Sequence, residues 1–381
     1  MSDIENLKVA PETVETPTGE ENNNNENNST EIVTYKEMSP MQMILRRFFR
    51  SKLSIVGIVM IVFLFAFSFL GPEIYRGIYK SNFTGDNLER LEEQAGEMDV
   101  HVDRTPTEYS MEDTLVFEDA EGNKIEVVET IKNYDTINKY ANPNKVHLLG
   151  TDEGGRDVFI RLMYGGRISL LIGFIVVILE TLVGIVLGGI AGYFGGWVDQ
   201  LIMRIVDIFN CIPTLPILLI ASAVIDSWVV DGTLAADDRI YVLMVIITIF
   251  GWSGTARLVR GQILSLREQE FITATEVMGL PTWRKIFKHL IPNVMPQLIV
   301  SMTLGLGSVI LYESTLSYLG LGVQLPKAAW GTMISGANNP NILNYHVNMW
   351  LPAGIMIVIA VLGFNFIGDG LRDAMDPKAR K

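Results

Sequence analysis

Few side chains here have the type and spacing that covalent or metal chemistry needs. Cys211 is the single cysteine, which excludes an intrachain disulfide and a cysteine-rich metal site. The histidines His101, His147, His289 and His346 are scattered without metal-ligand spacing. No Gly-x-x-x-x-Gly-Lys-Ser/Thr stretch is present to cradle a nucleotide, and no Ser/His/Asp or His-Glu-x-x-His arrangement points to hydrolysis. Asp119 and Glu121 lie close together, but the remaining calcium-loop ligands are missing. No catalytic residue, metal or chain-bound cofactor is therefore expected. The ionisable residues that stand out are Glu180 and Glu313, both inside apolar stretches, where a charge is costly and usually faces a pathway or a partner. For Glu313 a pathway-facing role and pairing with a neighbouring helix or backbone donor both stay open. Glu180 has no account at this level.

The elements that must position such groups are membrane helices. Hydrophobic residues make up 49% of the 381, and 19% are charged, against about 25% in an ordinary soluble protein. Leu53–Leu70 carries no charge and would reach roughly 27 Å as a helix, close to the hydrocarbon thickness. Further apolar stretches run Ile168–Tyr193, about Ile212–Ile225, Ile240–Ala256, Val294–Tyr312 and Trp350–Ile367. The third is short and contains Pro213 and Pro216, so its helix is expected to begin earlier and include Arg204, Asp207 and Asn210. The acidic, polar N-terminus does not read as a cleavable signal, and the first apolar stretch is expected to stay as an anchor.

Charge is placed unevenly. Residues 1–37 hold nine acids against two bases, and residues 72–146 hold seventeen against eight, so these polar segments carry more than the whole net charge of −13 and the apolar remainder is slightly basic, at about +3. Residues 1–40, with the run Asn22-Asn23-Asn24-Asn25-Glu26-Asn27-Asn28, are expected to be a disordered acidic tail. Arg46, Arg47, Arg50 and Lys52 precede the first span. Arg257, Arg260, Arg267, Arg284, Lys285 and Lys288 lie between the fourth and fifth, and Arg372, Lys378, Arg380 and Lys381 follow the sixth. The opposite connections carry one base each, Arg239 and Lys327. This bias predicts a multi-pass protein of the cell membrane with both termini cytoplasmic.

The fold class is thus an all-α polytopic membrane protein of about six transmembrane helices with an extracytoplasmic insert. Residues 41–71 form the first span and its flank, 72–146 the extracytoplasmic domain, 147–377 a core of five further spans, and 378–381 a tail. Within the insert, Thr114–Glu129 alternates around Glu121-Gly122-Asn123, which predicts a β-hairpin with Leu115, Phe117, Ile125 and Val127 sharing faces.

Segment 262–293 is the most informative. Phe271–Met278 reads as a helix stopped by Gly279, and Pro281 suits the first turn of the next helix. In that second helix Trp283, Phe287, Leu290 and Ile291 fall on one face, with Arg284, Lys285 and Lys288 on the others. Two short helices around a tight Gly279-Leu280-Pro281 corner would make a rigid cytoplasmic knob. A basic amphipathic helix on anionic lipid has the same pattern.

From Glu270 through Thr273, Ala274, Thr275 and Glu276 to Gly279, then Lys288-His289-Leu290-Ile291-Pro292-Asn293, the segment resembles the "EAA loop" of ABC importer permeases. The resemblance implies that Glu270, Thr273, Ala274, Thr275, Glu276, Gly279, Leu280, Pro281 and Trp283 dock into a groove of a separate ATPase. Thr273 and Thr275 depart from the Glu and Ala of the general motif, so Glu270 or Glu276 would supply any carboxylate contact. His147-Leu148-Leu149-Gly150-Thr151-Asp152-Glu153-Gly154-Gly155-Arg156-Asp157 resembles the dipeptide/oligopeptide subfamily and its C-type subunit. So do Ser317-Tyr318-Leu319-Gly320-Leu321-Gly322-Val323-Gln324, Trp330-Gly331 and Gly368–Pro377. The resemblance covers roughly residues 41–80 and 145–377.

It implies a permease subunit importing oligopeptides or dipeptides, paired with a second homologous permease. Two cytoplasmic ATPase subunits would hold ATP and Mg, and an extracellular substrate-binding lipoprotein would deliver the cargo. Importers of nickel chelates or other small solutes share this permease type. An ion-driven secondary transporter would more often show two repeated halves with broken helices, and a membrane sensor would use the acidic insert to bind a partner. Gly184, Gly188 and Gly192 form a small-residue stripe that permits close helix approach, either at the seam with the partner permease or within this subunit.

Overall fold

The computed structural model describes residues 40–78, 104–105, 109–118, 124–133, 136–137, 139–144, 147–235, 238–323 and 327–375. The acidic tail, the hairpin turn with Asp119 and Glu121, Gln324 and the C-terminal 378–381 lie outside the described residues.

Helix α1 (Pro40–Arg50) ends at Ser51, whose hydroxyl accepts from the Ser54 N–H and caps α2 (Lys52–Phe65). A wide π-type turn at Ala66–Leu70 leads into α3 (Gly71–Ile78), and Lys52–Tyr75 together is long and apolar enough to cross a membrane. Among the described residues four strands follow: β1 (Arg104–Thr105), β2 (Tyr109–Glu118), β3 (Lys124–Asn133) and β4 (Thr136–Ile137). β2 pairs antiparallel with β3, with Leu115 opposite Val127 and Phe117 opposite Ile125, and β1 pairs with β4.

Helix α4 (Val158–Phe194) starts ten residues before the apolar stretch, because its start is set by a cap rather than by hydropathy. Asp157 Oδ1 accepts from the N–H groups of Phe159 and Ile160, and its Oδ2 lies 2.9 Å from Nδ1 of buried His147. Asp152 closes the preceding turn by accepting from Gly154 and Arg156 N–H, where Gly155 takes φ 74°. Asp157→Ala should lower stability by about 1–2 kcal/mol through the lost cap, and Asp157→Ser should recover part of it. The melting midpoint of the purified protein in detergent measures both.

The remaining elements are α5 (Gly196–Cys211), α6 (Thr214–Val230), α7 (Arg239–Arg267), α8 (Glu270–Val277), α9 (Thr282–Arg284), α10 (Ile291–Tyr318), α11 (Trp330–Ser335), α12 (Pro340–Tyr345) and α13 (Val347–Met375). Among the described residues five helices are long and apolar enough to span, or six if the bent pair α5–α6 counts as one. The core lies between α4, α10 and α13, where Leu170, Ile172, Val176, Ile310, Ala360 and Phe364 are buried around Trp330 of α11. Against this, Gly57 lets α2 approach α13: a Cβ there would sit 2.9 Å from the Gly363 carbonyl.

The third span departs from expectation. Instead of one helix running through Arg204, Asp207 and Asn210, the chain breaks and turns by 80° between α5 and α6. Pro213 cannot donate an N–H and forces the residue before it out of the helical region, and Ile212 is accordingly extended at φ −80°, ψ 124°.

Candidate functional site

The site grows from the end of α7. Gln269 is extended (φ −81°, ψ 148°) and starts the short helix α8. That helix stops in a paired hydrogen-bond motif: Gly279 N–H donates to Glu276 O at 2.9 Å and Leu280 N–H to Thr275 O at 3.1 Å. The motif needs a left-handed residue, and Gly279 supplies it at φ 69°. Pro281 (φ −65°, ψ 147°) then turns the chain into α9.

Two residues root this corner in the protein. Ile272 from α8 and Leu290 are buried in a cluster with Val259 and Ile263 of α7 and Val294 and Leu298 of α10. Thr275 is buried as well, its hydroxyl donating to Ile272 O at 2.6 Å. Lys285 Nζ reaches Glu276 Oε1 at 3.3 Å across the corner. Glu270, Thr273, Ala274, Glu276, Gly279, Pro281 and Trp283 are exposed, and Leu280 is half-buried. The tip is apolar: Val277 is 86% exposed, Met278 68%, Trp283 60% and Phe287 60%.

Two details correct the sequence reading. The second helix of the knob is not a separate short element, because Thr282–Tyr318 runs as one 37-residue unit into the fifth span. A π-type turn at Lys285–Leu290 lies within it. This wider turn accommodates Pro292 in the first turn of α10 without breaking the rod. It also slips the face: Trp283 and Phe287 point outward, Leu290 inward, and Lys285 is buried rather than exposed.

The corner is tied to the bundle through α7. Arg267 Nη1 donates to Tyr193 O at 3.0 Å. The glycine stripe of α4 packs on α7 within this chain: a Cβ on Gly184 would meet Thr255 at 2.6 Å, and one on Gly192 the Arg260 carbonyl at 2.9 Å. On Gly188 it would overlap the Ala256 carbonyl. Of the two roles open for the stripe, the geometry takes packing inside the subunit.

Sequence reasoning placed Arg257 and Arg260 in a connection between spans; they are helical residues of α7 paired with α5. Arg260 Nε lies 2.9 Å from Asp199 Oδ1, Arg257 Nη2 2.9 Å from Asp207 Oδ1, and Ser253 Oγ donates to Asn210 Oδ1 at 3.0 Å. Asp199 escaped notice because its partner is 61 residues away and no local pattern joins them.

Glu313 is fully buried and accepts from Ser317 Oγ at 2.7 Å and Ser169 Oγ at 3.1 Å. Ser169 Oγ in turn accepts from Trp330 N–H, while the Trp330 indole donates to Leu162 O at 3.0 Å. The carboxylate therefore ties α4, α10 and α11 together in the interior. Gly331 is required there, since a Cβ would meet Ser317 Cβ at 2.5 Å. Glu180 lies against Gly251 of α7, where any added Cβ would overlap its carboxylate. At the end of α4 opposite the corner, a cavity of about 310 Å³ is lined by Asp152, Arg156, Arg161, Ser317, Thr332 and Asn338 among others.

With this geometry in hand, comparison with known proteins is decisive. Residues 184–381 match the family described as binding-protein-dependent transport system inner membrane component. The chain belongs to this family. Residues 39–89 also match the N-terminal transmembrane domain of oligopeptide transport permease C. The oligopeptide transport system permease protein OppC of Bacillus subtilis (strain 168) is 42% identical over 245 residues, covering 64% of this chain and 76% of that protein. The dipeptide transport system permease protein DppC of the same organism is 41% identical over 240 residues, covering 63% and 71%. OppC of Haemophilus influenzae is 31% identical over 338 residues, 88% of each chain. Among solved structures, the inward-facing MetNI methionine ABC transporter aligns at a TM-score of 0.43 and 20% identity, covering 56% of this chain and 96% of that one. The family member is a multi-pass membrane transport component.

Proposed function

We propose that this chain is one half of the membrane path of an ATP-driven importer of oligopeptides or dipeptides, coupled to separate ATPase subunits through the corner at 270–283. The relatives' names, which specify oligopeptide and dipeptide transport systems, support the cargo class. One observation carries the coupling role: an apolar tip of Val277, Met278, Trp283 and Phe287 stands exposed on a stem whose other face is locked into the core by Ile272 and Leu290. Large aromatic and Met side chains on a rigid support are what a binding hot spot is made of.

In this reading a second homologous permease completes the path, two ATPases hold ATP and Mg, and a substrate-binding lipoprotein delivers cargo from outside. Both termini lie in the cytoplasm with the corner, and 72–146 faces outward. ATP binding closes the ATPase pair; the corner follows as a lever, and α7 and α10 carry the displacement into the bundle. The chain itself contributes positioning and shape, with no bond made or broken.

Trp283→Ala tests the docking face. Its side chain is largely exposed, so folding stability should change by less than about 0.5 kcal/mol. Binding of the ATPase should weaken by about 2 kcal/mol, near thirtyfold, as for a truncated aromatic anchor. Titration of the detergent-purified permease pair with the ATPase reads this directly. Unchanged affinity together with unchanged uptake would remove the docking role.

A further inference from the structure

The broken span α5–α6 has a consequence beyond coupling. Asn210, the penultimate residue of α5, accepts from Ser253, the fifteenth of the 29 residues of α7 and part of the apolar stretch Ile240–Ala256. That bond sets the break at Ile212-Pro213 beside the apolar stretch of α7, the part of that helix suited to cross the hydrocarbon layer. A helix end leaves up to four C=O groups, and the next helix start up to four N–H groups, without intrahelical partners. Pro213 and Pro216 remove two of those donors, but the carbonyls of the last turn of α5 remain. Irregular backbone at that depth is tolerated only where protein buries it or where it lines water. The chain does not bury it: Asn210, Cys211, Pro213 and Pro216 are all exposed.

Charge separates the two ways of covering the break. About one turn from it, the Arg257–Asp207 pair has side chains 56% and 51% exposed, and Arg204 is exposed on the same helix. Lipid or a dry subunit seam over half-exposed charges would carry a large desolvation cost. Water carries none.

We infer that the break lines the water-filled route along which cargo crosses, with Cys211, Pro213, Pro216 and the Arg257–Asp207 pair facing it. The assignment rests on the proposed permease function and adds a wall of the path to it. A hydrated, charged peptide meets exposed carbonyls and an ion pair there rather than an apolar surface.

Cys211 is a natural reporter, being the sole thiol of the chain. The full complex, with both permeases, both ATPases and the binding protein, is reconstituted and its ATP-dependent peptide uptake measured. It is then treated with a membrane-impermeant trimethylammonium methanethiosulfonate during turnover. The expected result is labelling of Cys211, slowed by saturating peptide, and loss of most of the uptake. A Cys211→Ser complex should retain its own untreated uptake after the same treatment, which excludes thiols of other subunits. Reaction only with an apolar maleimide would place the break against lipid, and reaction with neither would place it in a dry seam. Either outcome, or labelling without loss of uptake, overturns the assignment. A complex that imports with ATP while Cys211 stays inert leaves the permease reading standing and removes this one. A complex that imports nothing removes the permease reading, and labelling by the charged reagent would still report water at the break.

Discussion

Gly279→Pro should separate ATP hydrolysis from uptake while the protein still inserts and assembles. Gly279 sits at φ 69°, and proline is locked near φ −65°, so the corner cannot keep its path. The substitution also deletes the N–H that donates to Glu276 O, one of the two bonds closing α8. A backbone change of this kind costs about 3 kcal/mol, enough to reshape the corner. The damage is local, because Ile272 and Leu290 are held by the cluster of α7 and α10 rather than by the turn. The measurement is ATP hydrolysed per peptide imported, expected to rise steeply as uptake fails. Gly279→Ala keeps the N–H and pays roughly 1–2 kcal/mol for the left-handed backbone, so it should fall between. Normal uptake by the proline variant would count heavily against a lever at this corner.

Gly188→Leu should produce the largest loss of stability. A Cβ at 188 overlaps the Ala256 carbonyl and lies 3.0 Å from the Ala256 Cα and carbonyl carbon. These are backbone atoms of α7 that cannot swing aside as a side-chain tip can. Leucine must push α7 from α4, at a cost of about 3 kcal/mol or more, the upper part of the overpacking range. The separation also displaces the helix that bears the corner, so coupling should fail in whatever folds. Gly189→Ala is the control one residue away: its Cβ meets only Ile263 Cδ1 at 3.7 Å, an ordinary contact. The melting midpoint of the purified complex should drop by many degrees for the first and hardly at all for the second.

Much of this molecule is written in short-range patterns. Long apolar runs identify the membrane helices because a backbone in lipid must satisfy its own hydrogen bonds. Gly279 and Pro281 mark the corner because few residues accept a left-handed backbone or a preset turn. Three-dimensional packing settled the rest. A glycine stripe looks the same whether it meets a neighbour in its own chain or in another; the approach of Ala256 and Arg260 chose the former. A buried carboxylate reads as path or pin until its donors are known, and Ser169 lies 144 residues from Glu313. The π-type turn at 285–290 parts exposed Trp283 and Phe287 from buried Leu290, which the helical period had put on one face, because one added residue in a turn rotates everything beyond it. Proline announced a disturbance near residue 213, but only the tertiary structure gave the 80° turn between α5 and α6 and the bond from Ser253 to Asn210 that braces it. Local propensity follows from a residue and its near neighbours, whereas burial and pairing depend on partners that the chain brings together only on folding.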